Sequence, residues 1–421
     1  MALVVRPAVG TRSERAFDAA LAACLIVLAL QLVPLPSSAR TWLSPHLAEV
    51  HQALWLDGAG ASQTGMRPLS LDPGATEVAF GLAAALVLVF WSARGVFARG
   101  GVRRVARGVA WMGLALAVLA MAQHETAPRL LYWRWPTIFG TAFGPYRNRN
   151  DFSTWLILAI PLTVGYALAR IESRLREGVG RSQIDSIVDA PAVWLAGAAC
   201  LMSAALVTSL SRSGLTGAAA ALAAFLWLSR RRMNHRGRAS LLMAAGAVLL
   251  VATAYANLGA LADRVGETLE SGIGGRRTIW RETVPMVRDF WATGIGAGAY
   301  ERGMLVYQRT KGLFYFNHAH DEYLQLAAEG GMLLSVPAAI VLFLGAKLIR
   351  RRLRHDSAPA FWIRVGAASG LVAVAVQSVW DTGLRMPANA LLFALVAATA
   401  LHDRETSAKD GSASTPRATS L

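Results

Sequence analysis

The sequence predicts an all-α fold: a polytopic membrane helix bundle of about ten transmembrane helices, with one long loop that contains interfacial helices. Three observations predict it. Only 16% of the 421 residues are charged and 54% are hydrophobic, whereas ordinary soluble domains carry about 25% charged residues. The apolar residues are gathered into long runs. The basic residues cluster in every second gap between those runs. This composition also excludes an intrinsically disordered chain, which needs low hydrophobicity. The two cysteines, Cys24 and Cys200, both lie inside apolar runs, so neither a disulfide framework nor a Cys-rich metal centre is available.

The first apolar run, about 17–36, closes on Pro34, Leu35 and Pro36. No small-residue cleavage site follows, so it reads as a retained span and not as a signal peptide. The later runs are about 77–93, 109–123, 152–169, 192–210, 214–228, 240–258, 331–348, 365–380 and 388–402. Each approaches the roughly 20 residues that cross a bilayer core, and none has a charge at its middle. Residues 1–402 therefore read as one membrane domain, and the polar, Ser/Thr-rich stretch 403–421 as a disordered cytoplasmic tail. The short gaps on one side carry four to six basic residues each, in Arg94–Arg107, Arg170–Arg181, Arg230–Arg238 and Lys347–Arg364. Basic loops face the cytoplasm, which places both termini there. The net charge of +16 is then mostly an orientation signal, and no nucleic-acid partner is expected.

The opposite side receives about 37–76, 124–151, 259–330 and the turn 381–387. The stretch 259–330 is long for a connector, and such loops usually carry function. Within it, Ile279, Trp280, Val284, Val287, Phe290 and Trp291 recur at helical spacing, predicting an amphipathic helix over Thr278–Ala292. It either lies in the membrane interface or caps the bundle. Gly294-Ile295-Gly296-Ala297-Gly298 follows; no strand precedes it, so it reads as a tight turn and not a dinucleotide loop.

Four polar groups are harder to assign to packing. Arg212, in Ser211-Arg212-Ser213-Gly214, either snorkels to the interface or is held for an anion, since no acid is near in sequence. Arg276 and Arg277 precede Trp280 and prefer a phosphate partner, from a lipid headgroup or a substrate. His318 and His320 form the one close pair among eight histidines. With Asp321 and Glu322 they could ligate a metal, begin a polar helix, or supply a neutral imidazole as general base. Neither HExxH spacing nor a third nearby His supports the metal reading. Asn148 and Asn150 precede a span and suit helix capping.

Together and in this order, the pieces resemble the O-antigen ligase/O-antigen polymerase superfamily of bacterial inner-membrane proteins. Asn148-Arg149-Asn150 is similar to its N-x-N motif, and Ser211-Arg212 to its membrane-end arginine. Arg276 with Trp280 and the glycine-rich stretch is similar to its periplasmic-loop motif. His320, Tyr323-Leu324-Gln325 and Glu329-Gly330 are similar to a further motif, with Asp321 in place of Asn; Asp151 stands where a His is common. Asp381 to Pro387 is similar to a later pattern. The resemblance spans roughly 140–345 and implies a multi-pass inner-membrane enzyme with its active site on the periplasmic face. It would move a glycan from an undecaprenyl-diphosphate carrier to a glycan, lipid A–core or protein acceptor within the lipid bilayer.

The residues suit that chemistry. A diphosphate leaves readily if its growing charge is stabilised, and arginine is permanently charged with a fork that matches phosphate oxygens. The expectation is that Arg212, Arg276 and Arg277 bind the diphosphate and His320 acts as general base. Asp321 or Glu329 would orient the imidazole, with Asn148, Asn150 and His318 in support. The sequence holds no Asp-x-Asp pair, so neither a metal nor another cofactor is expected. A flippase for the same lipid is the rival reading. Transporters, however, place charges near the midplane, and this chain keeps its spans uncharged. A structural subunit of a polysaccharide export system is the third.

Overall fold

The computed structural model describes residues 12–54, 65–137, 142–176, 189–255, 273–310 and 315–402. The expected tail 403–421 and residues 259–272 of the long loop lie outside them. The helices in chain order are α1 (Arg12–Leu30), α2 (Ser37–Leu43), α3 (Leu47–Leu54), α4 (Pro73–Ala98) and α5 (Val102–Thr126). After them come α6 (Arg149–Arg176), α7 (Ala190–Thr208), α8 (Arg212–Ser229), α9 (His235–Tyr255), α10 (Ile273–Asp289) and α11 (Tyr300–Tyr307). The last are α12 (Glu322–His355), α13 (Ala360–Gln377) and α14 (Pro387–Leu401). A two-residue hairpin, Leu130–Leu131 with Trp135–Pro136, accounts for the described strands.

Each of the ten apolar runs overlaps one of these helices over most of its length. Among the described residues, α4, α5, α6, α7, α12 and α13 are long and apolar enough to cross a membrane. The other four are shorter (α14) or carry charged residues in their first turn (α1, α8, α9). Sequence explains where the helices begin. Asp72 accepts from Ala75 N ahead of Pro73, Asp189 from Ala192 N, and Ser211 from Gly214 N. Each satisfies an N–H that no turn above can reach.

Helices α6 and α13 form the buried centre. Leu156, Ile157, Leu158 and Leu162 of α6 pack with Ile363, Val365 and Val374 of α13. Lipid is as apolar as leucine, so close contact supplies the attraction in place of the hydrophobic effect. Gly165 sits against the Trp362 carbonyl and Gly366 against that of Pro161; side chains there would push the helices apart.

A second core lies beyond one end of the bundle. Leu47, Val50, Leu69 and Leu71 meet Met286, Phe290, Tyr300 and Met304. Helix α10 buries Ile279, Thr283 and Met286, with Phe290 following it, while Val284 and Trp291 are exposed. The amphipathic helix is thus present, and its buried face caps the bundle. The other end of the bundle is basic and ion-paired: Arg94 meets Asp18 at 2.7 Å, Arg352 meets Glu14, Arg170 Nε meets Asp189 at 2.9 Å, and Arg364 meets Asp356 at 3.3 Å.

Candidate functional site

At the capped end, helix starts and ends from distant parts of the chain converge. Asn148 begins α6, its Oδ1 accepting from Asn150 N at 2.9 Å. Asn150 Oδ1 accepts from the Ser211 hydroxyl at 2.8 Å, which ties the starts of α6 and α8 together. Gln377, ending α13, donates to Ser153 at 3.1 Å and accepts from Thr154 at 2.9 Å. Ser213 donates to Asp381 Oδ2 at 3.0 Å, and Thr382 N donates to Asp381 Oδ1 at 2.9 Å. Asp381 is thereby fixed, buried, above the seam of α6, α8 and α13.

The break in α12 sets the other side of the site. Gly331, at φ +56° and ψ −160°, divides it into Glu322–Gly330 and a long second segment. Only glycine adopts that backbone without strain, and a Cβ there would lie 2.5 Å from the Ala292 carbonyl. The glycine-rich turn satisfies the polar groups opened by the break. Met332 N donates to Trp291 O at 2.8 Å, Ile295 N to Ala328 O at 3.0 Å, and Gly296 N to Glu329 O at 3.0 Å. Gln31, ending α1, closes the junction. Its amide donates to Thr293 O at 3.0 Å and Glu329 O at 2.8 Å, and accepts from Ala297 N at 3.0 Å.

His320 precedes the short segment with φ +51°, an uncommon conformation for a residue with a side chain. Its neighbours hold it there. Ala319 N donates to Gln325 at 3.0 Å, and Ala319 O accepts from Trp280 at 3.0 Å. Asp321 caps the helix, accepting from Tyr323 N at 2.9 Å and Leu324 N at 3.0 Å. Backbone strain of this kind costs about 1–3 kcal/mol and tends to occur at functional sites.

Charge links the residues. Burial lowers the His320 pKa from its ordinary value; Asp381 opposes that shift and Arg276 reinforces it. Burial likewise lowers the pKa of Arg276, with Asp381 opposing and Arg212 adding to the shift. Asp381 and Arg276 thus bear on His320, and Asp381 and Arg212 on Arg276. Arg276 is half-buried in the first turns of α10; Arg212 and Arg277 are exposed on the first turns of α8 and α10. Three positions expected from sequence, far apart in the chain, meet here.

A second group lies alongside. Arg385 donates to both Glu329 oxygens, at 3.1 and 2.8 Å, and faces Glu322 at 3.5 Å. Gln325 donates to Glu329 at 3.1 Å and lies 3.3 Å from His318 Nδ1. Burial, with Arg385 and His320 adding, pushes His318 down to about 4, so its imidazole is neutral near pH 7. Glu329 is thus committed to Arg385 and Gln325, and Asp321 to the helix cap; the carboxylate whose field reaches His320 is Asp381.

A model of the family described as O-antigen ligase matches residues 197–336. Over this stretch the chain is similar to the O-antigen ligase family. The match runs from α7 to the start of the long segment of α12, about a third of the chain. It takes in Arg212, Arg276, His320 and Glu329, while Asn150 and Asp381 lie outside it. No curated protein matches the chain. The match to the O-antigen ligase family, with helices long and apolar enough to cross a membrane, supports an integral membrane protein with a glycosyltransferase-like function.

In sequence, the turn 381–387 has a likeness to a family pattern, but no role attaches to Asp381 or Arg385, and none to Gln377 or Gln31. The available signal is an amide near the end of an apolar run, twice, and an acid opening a seven-residue connector. Among the described residues, no group of three or more His, Cys, Asp or Glu is placed to hold a metal ion.

Proposed function

We propose that this protein transfers a glycan from an undecaprenyl-diphosphate-linked donor to an acceptor hydroxyl at the periplasmic face of a bacterial inner membrane. The basic, ion-paired end of the bundle would be cytoplasmic, with both termini on that side. His320 takes the acceptor proton, the acceptor oxygen forms a bond to the anomeric carbon, and the bond from that carbon to the diphosphate oxygen breaks. The departing electron pair stays on the diphosphate, where Arg212 and Arg276 meet it. Attack opposite the leaving group inverts the anomeric centre.

The observation that carries this reading is that one carboxylate, Asp381, acts on both His320 and Arg276. This would couple a base and a diphosphate clamp at the capped end of the bundle. A His with a lowered pKa is neutral at working pH and able to accept a proton. Each arginine–phosphate contact at about 4 Å is worth about 4 kcal/mol at an effective dielectric near 20, and it strengthens as charge builds on the leaving oxygen. Arg277 extends the clamp toward the headgroups. Asn148 and Asn150 position the start of α8 and so Arg212. Gln325, His318 and Glu329 hold the segment that presents His320. No step in this scheme calls for a metal ion.

The test is reconstitution. Protein in liposomes with a lipid-linked glycan and an acceptor yields a longer or newly attached glycan, and His320→Ala removes the product. Full transfer by that variant would end the assignment. Relocation of the donor across the bilayer without a new glycosidic bond would make the protein a flippase.

A further inference from the structure

At the basic end of the bundle, opposite the site above, a cavity of about 310 Å³ opens between the end of α8, the end of α12 and the start of α13. It is lined by Arg230, Arg231, Arg232, Arg350 and Arg354, together with an apolar wall that includes Trp227 and Leu353. Asp356 is the one acid in the lining, and its carboxylate is already engaged by Arg364 Nε at 3.3 Å and Ala358 N at 3.0 Å. Arg232 is also committed. It donates to the carbonyls of Asp356 and Ala358 at 2.9 and 3.1 Å and lies 4.3 Å from the centre of the Phe361 ring. Arg230 is fixed over Trp227 at 4.8 Å.

Several guanidiniums thus surround one space whose only carboxylate is spoken for. Their mutual repulsion is relieved by an anion, and the planar fork of arginine matches phosphate oxygens. A free phosphate would have no use for the apolar wall. A phosphodiester carrying acyl chains matches both surfaces, and basic pockets between transmembrane helices suit such headgroups. A smaller cavity of about 260 Å³ at the same end is lined by Arg103, Arg107, Arg170, Arg174, Tyr166 and Ser173. Hydroxyls take the place of the apolar wall there, so it lacks the second half of the match.

We infer that the cavity formed by α8, α12 and α13 is a binding site for the headgroup of an anionic phospholipid. The site lies at the far end of the three elements that bear Arg212, the segment after His320, and the approach to Asp381, and it stands independently of the transfer reaction.

The full chain, purified in neutral detergent, is incubated with micelles of phosphatidylglycerol and phosphatidylcholine, repurified, and its retained lipid measured. Phosphatidylglycerol is expected to be retained over phosphatidylcholine. Arg350→Ala with Arg354→Ala is expected to weaken that retention about thirtyfold, the effect of removing two cationic contacts to an anionic lipid; the double Lys variant keeps most of it. If the alanine pair does not fold, Arg354→Glu alone carries the same test. Equal retention of the two lipids, or retention unchanged in these variants, would overturn the inference. So would retention abolished by millimolar inorganic phosphate, which would assign the cavity to a free anion.

Discussion

The two ends of the bundle use arginine in opposite ways. At the basic end, acids neutralise chosen arginines directly: Asp18 takes Arg94, Glu14 takes Arg352 and Asp189 takes Arg170. These pairs join helices, and such links contribute modestly where solvent reaches them. At the capped end Arg385 takes Glu329 directly, but two other acids are held by hydroxyls and backbone N–H groups. Asp381 is anchored by Ser213 and Thr382, and Asp321 by the start of α12. An acid held by neutral donors keeps its field available to Arg276 and His320. The number of charges at each end says little about chemistry; what holds each acid in place says more.

The comparison can be broken at several points, beginning with the largest effect. His320→Ala is expected to lower transfer by about 10²–10⁴-fold, the usual worth of a general base, with thermal stability little changed because alanine keeps the Cβ and with it the same backbone strain; initial rates in proteoliposomes check it. Arg276→Ala is expected to cost about 10²–10³-fold in turnover, like other charge-stabilising groups. Arg276→Lys should restore only part of that, since the fork geometry is lost.

Gly331→Ala tests the framework and not the chemistry. A side chain at φ +56° against the Ala292 carbonyl should cost roughly 3 kcal/mol from strain and overpacking, read as a lower unfolding midpoint in detergent together with lost transfer. Asp381→Asn sharpens the comparison through pH. Burial already lowers the His320 pKa below its usual value and Asp381 holds it up. The acid limb of the rate profile should therefore lie below about pH 6.5, and it should move to still lower pH in the Asn variant. A limb that stays in place would separate Asp381 from His320. At the other end, Asp18→Asn weakens a pair whose arginine is buried and should cost about 1–3 kcal/mol while leaving transfer unchanged.

Much of the helical framework was legible because lipid demands long apolar runs, and each run overlaps a helix. Even the break in α12 was foreshadowed, since the apolar run begins at Gly331, where the backbone turns. Arg212 stood out between two runs, Arg276 ahead of the amphipathic helix and His320 in the segment before a span. The carboxylate that acts on His320 did not: Asp321 and Glu329 were nearer in sequence, yet one caps a helix and the other binds Arg385. Spacing along the chain says nothing about which of several acids is already bonded. The face of α10 was equally hidden, because its apolar residues suited a bilayer surface as well as the core built by Leu47, Val50 and Met286.

The anchoring of Asp381 has a consequence for synthesis of the protein. This residue follows α13, so Arg212, Arg276 and His320 emerge from the ribosome well before it. Gln31, made early, waits for partners 262 to 298 positions downstream. A nascent chain halted before residue 381 carries the cations and the imidazole without the acid that couples them, and on the proposed mechanism a half-made copy would transfer no sugar until the segment after α13 is in place.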